Sequence, residues 1–436
     1  GYKQYTHIML RIKITLLTIS FFAINVSSFA QRVTTSPYSM FGYGDMYTNS
    51  LHVLDGKGGA GIANRNKHHI SFLNPAGHSG VQSERFIFET GIGNNMRILQ
   101  QEQSSNLTNA AGLEYLAFAF PILASKWNSA IGLLPFSSVG YEITASSTSN
   151  DFLYEGSGGI NQIVWGNAFT PFSNFSIGFH ARFLFGESYT KSFVLFPESS
   201  ASFSTEKRET IKTNGLIWDF GFIYTIPLSE TSNISIAATY RDKQTAAYTQ
   251  KNFLATFLNL EDSEEAITFI DTVSNSYNSD IRTDFPQKIG VGIQYTITNK
   301  FEYSLDVSQE NWNKIFVYGA TNKNLSNSIS LNTGIEYIPD TRSLAYFKRL
   351  PYRIGFHYSQ LPISETIGTE KNKPIDIGVS FGTDFMLKQT GNSITLSFIL
   401  GKRGDFTVSH SIQETYFITK CTIRLHEAWF FKRKID

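Results

Sequence analysis

The chain has 436 residues, a formal net charge of +1 and a single cysteine, with 14% aromatic and 17% charged residues. A balance this close to zero gives the chain as a whole no electrostatic case for nucleic acid or acidic partners, and one cysteine excludes an internal disulfide. Aromatics so frequent beside so few charges are odd for a water-soluble protein, but expected of a membrane barrel with an apolar outer band and aromatic girdles.

Met9 is the expected start, with residues 1–8 preceding it. Arg11 and Lys13, the mainly apolar run Ile14–Val26 and Ser28-Phe29-Ala30 then read as a signal peptide ending at residue 30. That run is too short to be a spanning helix, and no cysteine lies near Ala30 to accept a lipid. After Gln31 there is no window of about 18 apolar residues, which argues against a helical membrane protein. Residues 31–81 are rich in Gly, Ser and Asn and alternate little. They are either disordered or a compact segment that fills a lumen.

From residue 82 to 436 the chain reads as strand after strand. Period-2 runs bounded by turn formers occur at Arg85–Ile92, Leu113–Ile122, Ala130–Leu134, Ile160–Phe169, Phe175–Phe185, Leu216–Ile226 and Asn233–Tyr240. Seven more lie at Lys288–Thr296, Glu302–Ser308, Ser330–Tyr337, Arg353–Tyr358, Ile375–Phe381, Ser393–Leu400 and Tyr416–Leu425. About fourteen strands is an even number, as in bacterial barrels. The fold class implied is all-β: a transmembrane antiparallel β-barrel with an N-terminal hatch. Glycines recur inside the runs, at 166, 178, 221, 290, 292, 334, 355 and 378. They weaken an ordinary strand, but they suit a tilted wall backed by a plug. Tight turns at Pro171–Asn174 and Thr298–Lys300 contrast with a long polar stretch from Gln244 to Phe285 carrying the acidic run Glu261–Glu265. Short turns alternating with long loops match periplasmic and extracellular connections, and place the protein in the outer membrane, in contact with its lipid and lipopolysaccharide.

Three segments together carry a family resemblance. Gly56-Lys57-Gly58-Gly59-Ala60-Gly61-Ile62-Ala63 leads, after a spacer, to Asn74-Pro75-Ala76-Gly77. Phe285-Pro286-Gln287-Lys288-Ile289-Gly290-Val291-Gly292-Ile293 is succeeded by Phe301–Asp306 and Trp312, and Pro351–Tyr358 carries Arg353, Gly355 and Tyr358. Together these resemble the FadL-type family of long-chain fatty acid and toluene transporters. The resemblance implies that Gly58, Gly61, Asn74, Pro75, Ala76 and Gly77 belong to the hatch. It also implies passive uptake of hydrophobic small molecules, fatty acid-like or aromatic, with release through a gap made by a kinked strand near Gly112 or Gly132. Phe41, Tyr43 and Arg353 are the expected lumen or ligand contacts. The alternative is a FadL-like barrel that transports nothing and serves as a partner of a protein secretion system, type IX-like. Basic Arg65, Lys67, His68 and His69 in the hatch spacer lean that way, since greasy-acid transporters carry a polar, acidic patch there.

Other chemistry is weaker. Gly56-x-Gly58-x-x-Gly61 matches a dinucleotide fingerprint by pattern, but Ile62-Ala63-Asn64-Arg65-Asn66-Lys67 is a poor helix start, and no cofactor is expected. Adjacent His68 and His69 diverge on a strand or a helix, so no metal site is expected. Serines and the histidines His180, His357 and His410 show no spacing that singles out a nucleophile, so the chain is not read as an enzyme. Arg353 reads most simply as the partner of a lumen acid such as Asp306 or Glu336.

Overall fold

The computed structural model describes residues 34–82, 85–197, 202–258, 269–313, 315–318, 320–321, 324–367, 370–387, 391–408 and 411–428. The expected signal peptide and the acidic run Glu261–Glu265 lie outside these residues.

Fourteen strands close into one antiparallel barrel. In order they are β1 Arg85–Gln101, β2 Ser104–Leu123, β3 Trp127–Ser146, β4 Asp151–Phe172, β5 Phe175–Leu195 and β6 Ser204–Pro227. Two strands are interrupted: β7 comprises Ser232–Arg241 and Gln244–Phe257, and β8 comprises Phe269–Phe285 and Gln287–Ile297. The break in β8 falls at Pro286, which has no N–H to give the ladder. Both segments of β7 pair with β6, and both segments of β8 pair with β7. The remaining strands are β9 Phe301–Asn311, β10 Ser328–Tyr337, β11 Tyr352–Gln360, β12 Ile375–Leu387, β13 Asn392–Gly404 and β14 Gln413–Ala428. Closure comes from β14 against β1, in register from Arg85 opposite Ala428 to Gln100 opposite Gln413. Each of the fourteen periodic runs in the sequence lies within one of these strands.

Alternation sorts the wall. On β6, Leu216, Trp218, Phe220, Phe222 and Tyr224 point outward and are exposed, while Ile217 and Ile223 are buried. The same outward band continues through Ile289, Val291 and Ile293 on β8, Ile354 on β11 and Val379 and Phe381 on β12. Exposed apolar side chains in such numbers need a lipid solvent. Facing inward are charges that no lipid would accept, among them Glu89, Arg182, Asp306, Arg353, Asp384 and Arg424, all buried.

Two expectations about connections need correction. The stretch Gln244–Phe285 is mostly strand, the upper parts of β7 and β8, and only residues 258–268 connect them. Turn lengths do not alternate strictly either. Residues 102–103 make a tight turn on the loop side, and residues 338–351 make a long connection on the turn side. The wall is also uneven: β4 and β6 have 22 and 24 residues, whereas β11 has 9. Nine to eleven tilted residues cross a bilayer, so the β3–β8 side stands above the membrane as a curved sheet.

Inside the barrel lies the N-terminal segment, compact rather than extended. It contains a 3-10 turn Pro37–Met40, a short strand Asp45–Met46 paired to β3, a helical turn Leu51–Asp55 and a second 3-10 turn Pro75–Gly80. Its apolar residues Leu51, Ile70 and Phe72 pack on the inward side chains Ile87, Tyr115, Leu134 and Val164 of β1–β4. Glycines make the contact close. Gly58 has φ +70, and a Cβ there would meet the Phe356 and Thr333 carbonyl oxygens at 2.5 and 2.6 Å. Across the wall, seven of the eight glycines singled out in the sequence face the hatch. Gly334 and Gly355 lie under Lys57 and Gly58, Gly290 and Gly292 under Ile62, Gly221 and Gly178 under Asn74 and Pro75, and Gly166 under His78. Gly378 instead lies beside His357.

Candidate functional site

The hatch is fixed to the wall by polar contacts along most of its length. Asn74 caps the turn Pro75–Gly80: its Oδ1 accepts from the Ala76 N–H at 3.0 Å. Its Nδ2 donates to the Ile62 and Phe222 carbonyls at 2.8 and 3.2 Å, so one side chain joins the turn, the glycine-rich segment and β6. Pro75 takes the first helical position, where a missing N–H costs nothing. Ala76 is fully buried, and Gly77 lies against the Asn64 carbonyl. The N–H groups of Gly61 and Ile62 converge on Asp306 at 2.5 and 2.8 Å, and the Gly58 N–H donates to Ser380 at 2.8 Å.

Charges repeat the theme. Lys57 pairs with Glu302. Asp55 takes Lys420 at 2.8 Å, which also reaches Glu114 at 3.2 Å, and His52 lies 2.7 Å from that carboxylate. Asp45 is met by Arg403 at 2.9 Å and Arg97 at 3.5 Å. Glu89 accepts from Arg424 at 2.8 Å and from the Ile70 N–H at 3.0 Å. Arg182, paired with Asp219, donates to the Phe72 carbonyl at 3.1 Å.

Apolar side chains of a connection fill part of the mouth. Residues of the connection 312–327, among them Trp312, Ile315, Val317 and Leu325, fold inward and form a buried cluster with Tyr43 of the hatch and Phe136, Ile160, Leu184, Ile217 and Phe285 of the wall. Tyr43 stacks on Phe285 at 4.8 Å and shares a hydrogen bond with Thr283. The connection 361–374 joins this lid through a bridge between Leu325 and Ile363. Below it a cavity of about 300 Å³ remains, lined by Phe41 and Tyr43. Ten of its lining residues are Asp, Glu, Lys, Arg or His, including Arg97, Glu114, His357, Asp376, Arg403 and Lys420. Arg353 is not at this cavity. It is held by Glu336 at 2.6 Å and by both Asp384 oxygens at 2.8 Å, so of the two acids expected only Glu336 is its partner, while Asp306 serves the hatch. Arg282 is exposed on the upper part of β8. On the turn side a wider chamber of about 1260 Å³ opens beneath the hatch, lined by Arg65, Lys67, His68, Lys300 and Arg349. Among the described residues no three His, Cys, Asp or Glu side chains converge as a metal site.

One pair escaped the sequence reading. His78 of the hatch and His180 of β5 meet Nε2 to Nε2 at 2.9 Å, both buried. His180 and Arg182 share a face of β5, and that inward period-2 polarity was the available signal. Burial pushes the His78 imidazole well below its ordinary value of 6.5, with His180 and Arg182 adding to the effect, and His69 is lowered for the same first reason. Both are therefore neutral when seated, whereas a released histidine takes up a proton below about pH 6.5. The unseated state then binds more protons, so seating weakens as pH falls through about 6.5, by up to ~1.4 kcal/mol per pH unit for each histidine. Protection factors of amides 70–80, corrected for the intrinsic pH dependence of exchange, are expected to be flat above about pH 7 and to fall towards about pH 5.5. His78→Gln should remove the His78 share of that response and leave the His69 share, and an unchanged pH profile in this variant would remove His78 as a sensor.

The pairing of β2 with β3 is partial. β2 and β3 pair only from Leu116–Leu133 to Leu123–Trp127. Above that point, next to Gly112 and Gly132, the hatch bridges the two: Thr35 bonds Thr108 of β2 at 2.7 Å, and Ser39 accepts from the Gly140 N–H of β3 at 3.0 Å.

With this geometry, three comparisons bear on kinship. The model of a family described as BamG matches residues 9–436. No curated protein matches the sequence. Among solved structures, the Pseudomonas putida toluene transporter TodX is similar with a TM-score of 0.55 at 12% identity, covering 89% of this chain and 99% of its own. A Pseudomonas aeruginosa FadL homologue gives 0.54 at 10% identity over 89% and 100%, and the CymD monoaromatic hydrocarbon channel 0.53 at 13% over 87% and 98%. At such identities the likeness establishes the fold, that of the FadL/TodX outer-membrane barrels.

Proposed function

The chain belongs to the BamG family, and from that premise we propose that it acts as a sealed outer-membrane partner of the Bam (β-barrel assembly) machinery, not as a conduit. One observation supports the reading: the lumen cavity lies beside an inward-packed connection and an ion-paired hatch, and ten of the residues lining it are ionisable. An apolar solute entering it would lie against these ionisable groups as well as apolar ones, and any desolvation of them would offset part of what its burial returns. A barrel of this kind offers its partners surfaces in place of a pore: the apolar belt, the curved sheet above the membrane and the turn-side face. The partner thus suggested is Bam in place of a type IX-like system.

A second reading, uptake of a hydrophobic small molecule, draws support from the unpaired upper parts of β2 and β3. The deciding experiment is to extract the full chain from outer membranes in mild detergent and identify what accompanies it. Bam proteins in stoichiometric amount, with no acyl or aromatic ligand, are expected. A stoichiometric apolar ligand without Bam proteins would favour uptake.

A further inference from the structure

The whole-chain charge hides a local imbalance. The chamber beneath the hatch holds six charged residues: Arg65, Lys67, Lys300, Arg349, Glu302 and Glu336. Both acids are already engaged from within. Glu302 takes Lys57 and the Asn64 amide, and Glu336 takes Arg353. The four cations have no carboxylate among the described residues. Arg65 donates to the Ser173 carbonyl at 3.1 Å, and the Arg349 guanidinium sits 5.7 Å over the Tyr346 ring, while Lys67, Lys300 and Arg349 are exposed. Neutral donors and acceptors complete the wall, among them Asn233, Ser235 and Gln294.

We propose that this chamber receives an acidic, extended segment of a protein on the turn side of the membrane, docking against Arg65, Lys67, Lys300 and Arg349. The inference rests on the partner reading above for what kind of molecule brings that segment. Cations with no carboxylate partner, gathered in one concave mouth, raise the local potential for an anion. At about 1260 Å³ the chamber is larger than the roughly 300–1,000 Å³ of a small-molecule pocket, and its walls face the lumen, away from lipid headgroups. The turn side of an outer-membrane barrel faces the periplasm, where an assembly partner's flexible acidic stretch is within reach.

The test uses the full-length protein in lipid nanodiscs and a short fluorescent glutamate-rich peptide, beside its glutamine counterpart. Lys67→Glu/Lys300→Glu/Arg349→Glu reverses three exposed side chains, and heat-modifiable gel mobility checks that it is folded. Lys126→Glu reverses an exposed cation on the same face but outside the chamber. Salt-sensitive binding of the acidic peptide alone is expected, lost by at least about tenfold in the triple variant as three pairs become repulsions, and unchanged in Lys126→Glu. Equal loss in Lys126→Glu, no loss in the triple variant, or equally strong competition by phosphatidylglycerol vesicles would overturn it. Co-purification separates the two readings. A triple variant that binds no peptide yet still brings down Bam proteins as the wild type does sinks the chamber as their dock and leaves the partner reading intact. Wild-type protein that binds the peptide but brings down no Bam proteins sinks the partner reading and keeps the chamber as an acidic-peptide site.

Discussion

Gly355→Val is expected to lift the hatch off the wall and to destabilise the closed form by on the order of 3 kcal/mol or more. A side chain at Gly355 would run into the Gly58 and Lys57 backbone, with Gly58 Cα at 2.7 Å. Backbone atoms cannot rotate aside as a side-chain tip does. Nor can the wall yield easily, because β11 is paired along its length to β10 on one side and β12 on the other. The hatch therefore moves, and with it go the Lys57–Glu302 pair, the Gly58–Ser380 bond and the two N–H groups on Asp306. Amide exchange over Gly56–Asn64 in the folded protein should rise by two orders of magnitude or more, since ~1.4 kcal/mol is tenfold in an opening equilibrium. Ile354→Val, one residue away on the lipid face, should leave that exchange unchanged. Native-like protection in a folded Gly355→Val barrel would mean that the glycine contact does not hold the hatch.

Legibility in the sequence tracks the solvent. Where one face meets lipid and the other the lumen, residues such as Leu216, Trp218 and Phe220 alternate with inward neighbours, and period 2 stands out. In the upper parts of β7 and β8 neither face meets lipid. Thr272, Ser274–Ser276 and Asn278–Asp280 are polar and exposed, so the strand reads as a loop. The hatch motif was legible through the family resemblance carried by Asn74-Pro75-Ala76-Gly77. Its partners were not. Lys57 meets Glu302 across 245 positions, and only barrel closure and register bring them together. Arg353 shows both sides of this limit. Glu336 sits directly across the β10–β11 ladder, a short-range pairing, whereas Asp384 is the diagonal neighbour two residues beyond Gly382 on β12. The ten ionisable residues at the lumen cavity, spread over many strands and the hatch, likewise come together only once the barrel is closed.

The second large effect is expected at Arg424, which is buried against Glu89. Arg424→Met keeps much of the side-chain volume and removes the charge. Glu89, itself fully buried, would keep only the Ile70 N–H, because its second oxygen already has no hydrogen-bond partner. Leaving one member of a buried pair uncompensated costs about 3–5 kcal/mol, and the loss should extend to the hatch, since Ile70 is held through the same carboxylate. Glu89→Gln/Arg424→Met removes both charges while the amide oxygen still accepts from Ile70. That double variant should recover more than half of the loss, because replacing a buried pair together is often close to neutral. Urea unfolding of the four proteins of this cycle in lipid vesicles measures the coupling. If the double variant is as unstable as Arg424→Met alone, the penalty lies in the lost contacts of Arg424 with Ser393 and Thr395 and not in the stranded charge.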